Sequence, residues 1–410
     1  MFEQTRNAIL PSCEEKWKAL LGATIDLCEQ SIRQPSEAID HVFPYPWLEL
    51  GPGYAYGPAF GHWDIVHASF NFAKSEPDEA IRQLKNNFSL LCEDGRLCGA
   101  IFFKNKAKYC SDVVTHPPLW VFLADELFAL HGDKSFLRTC LHVLEKQIAW
   151  FETQRQTDNG GFYYHDVSAQ RKWECGVDES IRYKDITPCV KSCIDACSHV
   201  YALYDNAYRW SVSLSAERID YKQKRDKLGE YIRTNLYNEK LGWFYDEFSS
   251  NNEREIIEAI DGAWPMVVGA CDKTTAKKIV DNLMSENLFF AAHPLTMVAV
   301  SSPRFKLQMW QGCSWNSFSF WFAYGMYKNG FYAECKKLTE RILDATAKIY
   351  QDTGKIWEFY HPFGRSPLEC TRKPQNAQNT PCSDYIGHSP LIAIYHLYKD
   401  CCSKLNAETI

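Results

Sequence analysis

The residues best suited to chemistry lie in two short acidic and aromatic stretches that are far apart in the chain. The first, WECGVDESIRY at residues 173–183, holds three carboxylates, one arginine and two aromatic rings. The second is IWEFYHP at residues 356–362. Asp178 and Glu358 are thus carboxylates on separate segments, each flanked by rings. Such a pair suits glycoside hydrolysis, in which one acid protonates the leaving oxygen and the other carboxylate activates water.

Asp178 has two interpretations at this level. It could be a solvated loop carboxylate that pairs with Arg182, as many loop aspartates do. Alternatively, Trp173, Tyr183 and the aromatic run FYY at 162–164 surround it with apolar groups, which an acid that is protonated near neutral pH requires. The density of rings around this carboxylate favours the second interpretation.

Glu358 could likewise lie at a helix end between its two aromatic neighbours. The turn sequence DTG at 352–354 and the breakers Pro362 and Gly364 argue against a long helix here. The sequence therefore predicts that Glu358 is displayed on a loop or a short strand.

Other aromatic rings also lie beside polar loop residues. Trp63 precedes Asp64, Trp264 follows Gly262, and the stretch WQGCSW covers 310–315. Sugars present C–H faces that stack on rings and hydroxyl groups that need polar partners. Any one tryptophan could belong to the core instead, but thirteen tryptophans, several of them beside loop carboxylates, favour a carbohydrate cleft.

Composition excludes several other functions. The net charge of −6 without a basic block argues against nucleic acid as a partner. No apolar run is long enough to cross a membrane, and the N-terminal MFEQ lacks an apolar signal core. The histidines have no metal-binding spacing, and no nucleotide-binding glycine loop occurs. We therefore expect neither a metal nor a cofactor.

The seventeen cysteines are an odd number without regular spacing, so they do not suggest a disulfide framework. Cys189, Cys193 and Cys197 recur every four residues, which predicts a buried stripe on one helix. No C-x-x-C pair supports a zinc site. Together these features predict a cytoplasmic protein in a reducing compartment.

Helical periodicity dominates the chain that must position these residues. About a dozen helices are predicted, with one brief strand near 100–103. Asp133 is predicted to cap one helix, and Thr187 with Pro188 is predicted to begin another that runs to about residue 209. Twelve helices in six hairpins can close into an (α/α)6 toroid. We predict one all-α domain over residues 1–410, with long loops that form a cleft at one end.

Five stretches resemble, in order, the motifs of (α/α)6 glycosidases of the glycoside hydrolase 63 type. They are HWD at 62–64, HPP at 116–118, ECGVDESIR at 174–182, WQGCSW at 310–315 and WEFYHP at 357–362. That group includes mannosylglycerate and glucosylglycerate hydrolases, and trehalases are related to it. The resemblance implies the same barrel and an inverting glycosidase.

The resemblance also implies roles for individual residues. Asp178 matches the general acid, and Glu358 matches the general base. Trp63 and Asp64 match the pair that binds the sugar in the −1 subsite. With the ring clusters, the motifs predict a wider set of substrate-binding residues: His116, Glu174, Arg182, Trp264, Trp310, Gln311, Gly312, Trp315, Tyr360 and His388.

The chain departs from the family pattern at several points. Gln311 stands where the family has arginine, His116 where it has glutamine, and His388 where it has a tryptophan. The segment after Pro362 is longer than usual and unlike the family's, so we expect residues 363–386 to govern the leaving group.

The predicted function is therefore hydrolysis of a small α-glucoside or α-mannoside, such as a glycosylglycerate or an α-glucosidic oligosaccharide. An alternative is a non-hydrolytic (α/α)6 sugar-active protein, either a sugar epimerase or an inactive carbohydrate-binding homologue. Epimerases of this fold use histidines, and no clear pair of loop histidines replaces the carboxylates here. That difference favours hydrolysis.

Overall fold

The computed structural model describes residues 2–103, 114–169, 173–184, 186–375 and 378–408, and within these ranges the protein is mostly helical. The helices are α1 (Glu3–Ile9), α2 (Glu15–Gln30), α3 (Asp64–Phe70), α4 (Pro77–Phe88), α5 (Trp120–His131), α6 (Lys134–Gln154), α7 (His165–Ser168), α8 (Ile194–Ser213), α9 (Ile219–Asn235), α10 (Trp264–Val268), α11 (Lys273–Leu283), α12 (Asn316–Lys328), α13 (Tyr332–Thr353) and α14 (Leu391–Glu408). The prediction of a helical protein is confirmed.

Strands are short and pair locally in the described ranges. The three antiparallel pairs are β1 (Ile32–Arg33) with β2 (Trp47–Leu48), β3 (Ala59–Gly61) with β4 (Ala100–Phe102), and β5 (Tyr237–Asn238) with β6 (Trp243–Phe244). The brief strand predicted near 100–103 is β4. Its partner β3 ends at Gly61, and α3 begins at Asp64. The pairing of β3 with β4 therefore fixes the position of Trp63 and Asp64.

Local signals determine several helix ends as predicted. The helix α5 ends at Gly132, which takes the left-handed conformation with φ of 65°. The side chain of Asp133 then accepts hydrogen bonds from the backbone N–H groups of Ser135 and Phe136, so it caps α6. The two helices form an antiparallel hairpin because the turn between them is only two residues long.

Burial distinguishes the inner helices from the outer ones. In α12 all eleven residues of 316–326 are buried, so neighbours surround this helix on every side. The next helix, α13, buries one stripe of residues at helical spacing and exposes the opposite face. The pair packs against α14 and α10. A helix buried on all sides is thus followed by one that is buried on one face only.

One continuous apolar cluster forms the main core and extends from Phe2 near the start of the chain to Cys401 in the last helix. Burial of each large apolar side chain contributes about 1.5–3 kcal/mol. Among the described residues, no helix combines the length and the apolar character needed to span a membrane.

The predicted start of α8 at Thr187 and Pro188 is wrong. The helix begins only at Ile194, whose backbone N–H donates to the Asp246 carboxylate at 2.9 Å. Before it, the N–H of Cys193 donates to the Phe162 carbonyl at 2.8 Å, so the segment runs extended against a neighbouring loop. Contacts with distant residues satisfy the backbone here and override the local helix-start signal.

The cysteine stripe is consequently not carried by one helix. Cys193 and Cys197 are buried, but Cys193 precedes α8, and Cys189 lies in the extended segment and is partly exposed. Fifteen described cysteines are free thiols, and Cys98 is disulfide-bonded.

Candidate active site

A cavity of about 490 Å³ brings the two predicted catalytic carboxylates into one site, since both Asp178 and Glu358 line it. Six predicted substrate-binding residues line the same cavity: Trp63, Asp64, His116, Trp310, Trp315 and His388. Six segments that are distant in sequence thus converge on one cavity.

Aromatic rings form one wall of this cavity. The rings of Trp310 and Trp315 stack in parallel, with centroids 3.4 Å apart, and Trp63 lies 6.3 Å from Trp310. Gly176 has a φ of 78°, and an added Cβ at this position would come within 2.5 Å of the Trp63 ring. Glycine is therefore needed both for the turn before Asp178 and for the close approach of the tryptophan.

Asp64 is a buried carboxyl group at the start of α3. The Tyr385 hydroxyl donates to its Oδ1 at 2.7 Å, and His388 Nε2 lies 3.5 Å from the same atom. Burial raises the pKa of Asp64 to about 7, and the nearby charges of Glu358 and Asp178 act in the same direction. Gly387 makes room for this group, because an added Cβ there would lie 2.7 Å from Oδ1.

Two histidines contribute neutral polar groups to the cavity. Burial lowers the pKa of His116 to about 4, and it holds the pKa of His388 well below its usual value. His388 Nδ1 shares a hydrogen bond of 2.7 Å with Ser317 Oγ, whereas His116 Nδ1 has no hydrogen-bond partner among the described residues. Both rings are therefore uncharged polar groups in the cavity wall.

Asp178 lies on the loop that follows Gly176, and 23% of its side chain is exposed to the cavity side of the fold. Lys373 Nζ donates to its Oδ2 at 2.6 Å. Burial alone would lower the pKa of Lys373, but the charge and the hydrogen bond of Asp178 outweigh burial and raise it. The two groups form an ion pair near neutral pH.

Glu358 is almost fully buried and is held by a two-pronged ion pair. Arg372 Nε donates to Oε2 at 2.7 Å, and Arg372 Nη2 donates to Oε1 at 2.9 Å. The backbone N–H of Cys382 also donates to Oε2, at 3.3 Å. Burial opposes the charge on Arg372, yet the charge and hydrogen bonds of Glu358 keep the arginine pKa raised.

Two other predicted residues, Glu174 and Arg182, lie outside the cavity lining. Glu174 is fully buried and accepts two hydrogen bonds of 2.9 Å from Arg155 and one from the Thr115 N–H. Because Thr115 itself lines the cavity, Glu174 ties the segment before Asp178 to the cavity wall.

Arg182 is the centre of a buried ionic cluster. Its guanidinium donates to both oxygens of Asp195 and of Asp246 at 2.6–2.9 Å, and it lies 2.9 Å from Asp261. These carboxylates come from α8, from the loop after β6 and from the segment before α10. The cluster therefore anchors the end of the Asp178 loop to three parts of the fold.

Trp264 and Tyr360 also belong to the packing around the site rather than to its lining. Trp264 contacts His199 edge-on, with ring centroids 4.5 Å apart. Tyr360 stacks on His293 at 4.3 Å. Both side chains are buried, and both support segments that carry lining residues.

Gln311 and Gly312 determine the course of the tryptophan segment. Gln311 Nε2 donates to the backbone carbonyl of Glu179 at 3.1 Å, which links this segment to the Asp178 loop. An added Cβ at Gly312 would lie 2.3 Å from the Lys306 carbonyl. Neither residue lines the cavity.

Trp173, which the sequence placed beside Asp178, lines the cavity, but several other lining residues were not predicted: Tyr54, Tyr56, Met309, Arg372, Lys373 and Tyr385. Arg372 and Lys373 had a usable signal, because two adjacent cations lie in the loop expected to govern the leaving group. Tyr54 and Tyr56 lie in a loop rich in proline, glycine and tyrosine that no motif marked.

One group among the described residues has the spacing of metal ligands, because ligand atoms of Cys193, Asp195 and Asp246 lie within 4.8 Å of one another. Arg182 already places its positive charge between these two aspartates. The group is therefore a structural ion cluster away from the cavity.

Comparison with known proteins shows which proteins the chain is similar to. Residues 212–373 match the model of the mannosylglycerate hydrolase MGH1-like glycoside hydrolase domain. An uncharacterized protein of Borreliella burgdorferi is 25% identical over 263 residues, which cover 61% of this chain and 52% of that protein. The chain thus matches about half the length of this curated relative.

Two enzymes of known structure share the fold. The GH63 mannosylglycerate hydrolase from Thermus thermophilus, in complex with glucose, superposes with a TM-score of 0.68 at 14% identity, over 92% of this chain and 99% of that one. Neutral trehalase from Saccharomyces cerevisiae gives a TM-score of 0.64 at 13% identity, over 88% and 76%. The match over residues 212–373 and the shared fold confirm the predicted resemblance to glycosidases of the glycoside hydrolase 63 type, and they support the enzyme class predicted from the motifs.

Proposed function

We propose that the protein is an inverting α-glycosidase that hydrolyses a small α-glucoside or α-mannoside. One observation carries the proposal: Asp178 and Glu358 line the same cavity, together with the rings of Trp63, Trp310 and Trp315. A glycosidase needs two such carboxyl groups, one as the acid and one as the base, and aromatic rings that can stack on the sugar.

In the proposed reaction, Asp178 donates a proton to the glycosidic oxygen as the bond from that oxygen to the anomeric carbon breaks. Glu358 accepts a proton from a water that attacks the anomeric carbon from the opposite face. Because displacement is direct, an α-glycoside gives a β-sugar. The mechanism requires the two carboxyl groups to lie roughly 6.5–9.5 Å apart, whereas a retaining enzyme needs about 5–5.5 Å.

The substrate is proposed to be small. A cavity of about 490 Å³ suits a ligand of one or two sugar units. The names of the structural relatives, a mannosylglycerate hydrolase and a neutral trehalase, support glycosylglycerates and α-glucosidic oligosaccharides as classes to test. In this assignment Trp63 stacks on the −1 sugar, and Asp64 pairs with its hydroxyl groups.

We also propose that the helices form six hairpins in an (α/α)6 toroid, as one domain over residues 1–410. The succession of the fully buried α12 and the partly buried α13 supports the toroid, and the continuous core from Phe2 to Cys401 supports a single domain. A cytoplasmic enzyme that needs neither metal nor cofactor remains the expectation from the sequence.

The test is a screen of α-linked glucosides and mannosides, including glycosylglycerates, followed by proton NMR within the first minutes of reaction. We expect the β-anomer of the released sugar before mutarotation. The α-anomer as the first product, or a glycosyl ester trapped on Glu358, would overturn the inverting assignment.

A second candidate, a sugar epimerase, is favoured by one observation: His116 and His388 both line the cavity and are neutral. A neutral histidine can remove a proton beside a sugar carbonyl. Epimerisation in deuterated water would place deuterium on that carbon, whereas hydrolysis leaves every sugar C–H bond intact. Mass spectrometry of the product therefore distinguishes the two functions.

A further inference from the structure

Two adjacent residues of one loop hold the two carboxylates of the site. Arg372 binds Glu358 through two hydrogen bonds, and Lys373 binds Asp178 through one of 2.6 Å. The neighbours are thus assigned to different partners, and both of those carboxylates line the same cavity.

The loop that carries these cations is itself fixed. The N–H of Thr371 donates to the Leu307 carbonyl at 3.0 Å, and the N–H of Met309 donates to the Thr371 carbonyl at 2.9 Å. Arg372 lies over the ring of Tyr56 at 5.2 Å. The loop is therefore held against the segment that leads into the tryptophan wall.

The two ion pairs differ in rigidity. A guanidinium that binds both carboxylate oxygens fixes the plane of its partner, whereas an ammonium on a flexible stem is a point charge that can move away. The exposed fractions agree with this difference. Arg372 and Glu358 are 2% and 3% exposed, but Lys373 and Asp178 are 18% and 23% exposed. The second pair is therefore the more accessible to water.

We propose that Arg372 and Lys373 form a charge clamp in which Arg372 permanently orients Glu358 and Lys373 is the releasable partner of Asp178. Both are positioning residues, and the inference rests on the proposed glycosidase function. An Asp178 carboxylate paired with an ammonium has no proton to donate. Substrate binding must therefore separate the pair, after which Asp178 takes up a proton from solvent and can act as the acid.

The other charged and titratable groups around Asp178 would be unchanged when Lys373 is replaced. They are the adjacent Glu179 and, in the cavity lining, Tyr54, Tyr56, Asp64, Glu358, Arg372 and Tyr385, with the neutral rings of His116 and His388. The effect of a Lys373 variant on pH dependence can therefore be assigned to the lost ammonium.

The test compares two α-glycosides of the same sugar, one with a 4-nitrophenol leaving group and one with an alkyl alcohol. The alkyl alcohol needs protonation to depart, and 4-nitrophenol hardly does. Lys373→Met removes the cation that stabilises the Asp178 carboxylate. For the alkyl glycoside, kcat/KM at pH 8 divided by kcat/KM at pH 6 should be about tenfold higher in Lys373→Met than in wild type. For the 4-nitrophenyl glycoside, this ratio should be nearly the same in both proteins.

Lys373→Arg should keep the wild-type ratio, since it restores a cation. Lys355→Met is the matched control, because Lys355 pairs with Asp384 at the same 2.6 Å but lies outside the cavity. If wild type cleaves both substrates and Lys373→Met shows the same pH ratio as wild type, the clamp is overturned while the glycosidase function stands. A wild type inactive on every glycoside would overturn the glycosidase and the clamp together.

The Arg372 half of the clamp has its own test. Arg372→Met should lower kcat on both glycosides by at least about a hundredfold, because the base is needed whichever group leaves. Since this change leaves Glu358 buried without its partner, the melting temperature should also fall. Adding Glu358→Gln should restore much of the stability but not the activity. Full activity in Arg372→Met would overturn the positioning role.

Discussion

At the scale of single residues, Asp178 is the carboxylate on which the proposed chemistry depends most. We predict that Asp178→Asn lowers kcat on a glycoside with a poor leaving group by roughly 10²–10⁴-fold, because the amide has no proton to give. The fold should be retained, since Asp178 is partly exposed. Steady-state kinetics and circular dichroism check both points.

The neighbouring Glu179 provides the control for this substitution. Its carboxylate accepts a hydrogen bond of 3.3 Å from the side chain of Gln308, and it does not line the cavity. Glu179→Gln should leave kcat nearly unchanged. If Asp178→Asn kept near-normal activity and Glu179→Gln lost it, Glu179 would be the general acid instead of Asp178.

Asp64 should make stability depend on pH. Its pKa is about 7 in the folded protein against 3.8 for the free side chain, so the folded state holds its proton more tightly. The resulting stabilisation is complete below pH 4 and is lost as pH rises through 7. At about 1.4 kcal/mol per pKa unit, the change reaches about 4 kcal/mol at most.

Asp64→Asn removes this titration while the amide oxygen can still accept from Tyr385. Urea unfolding should therefore show that the variant gains stability relative to wild type between pH 4 and pH 8. Asp158→Asn, at an exposed position, should keep a constant difference from wild type over the same range. A pH-independent difference for Asp64→Asn would contradict the raised pKa.

At the scale of elements, the cluster around Arg182 joins the Asp178 loop to α8 and to the segment before α10. Arg182→Met would leave Asp195, Asp246 and Asp261 buried without their cation. Breaking a buried ion pair in this way costs about 3–5 kcal/mol. We predict a loss of that size in the free energy of unfolding, measured with urea.

The comparison variant is Arg209→Met. Arg209 also contacts two aspartates, but its side chain is 44% exposed, so its loss should cost no more than about 1 kcal/mol. Equal losses in the two variants would show that the Arg182 cluster does not act as a buried anchor.

At the scale of the whole molecule, the single core predicts cooperative unfolding. Trp17 and Trp321 lie far apart in the chain, and both are buried in the main apolar cluster. Tryptophan fluorescence and far-ultraviolet circular dichroism should therefore report the same urea midpoint. Two separated transitions would contradict the proposed single domain.

The sequence predicts those features of the structure that depend on residues close together in the chain. Periodic apolar residues and local caps such as Asp133 act within a few residues, so most helices and several of their ends follow from the sequence. The motif order also identified Asp178, Glu358 and the ring wall, because short stretches with characteristic residues keep their identity whatever packs around them.

Only the tertiary structure decided how those residues are partnered. The start of α8 depends on Asp246, some fifty residues away. The buried ion pairs of Arg182 and Glu174 hold these two side chains outside the cavity lining. Lys373 reaches Asp178 across 195 residues of sequence. No local pattern encodes such pairs, because charged side chains find their partners only after packing has brought distant loops together and removed the water between them.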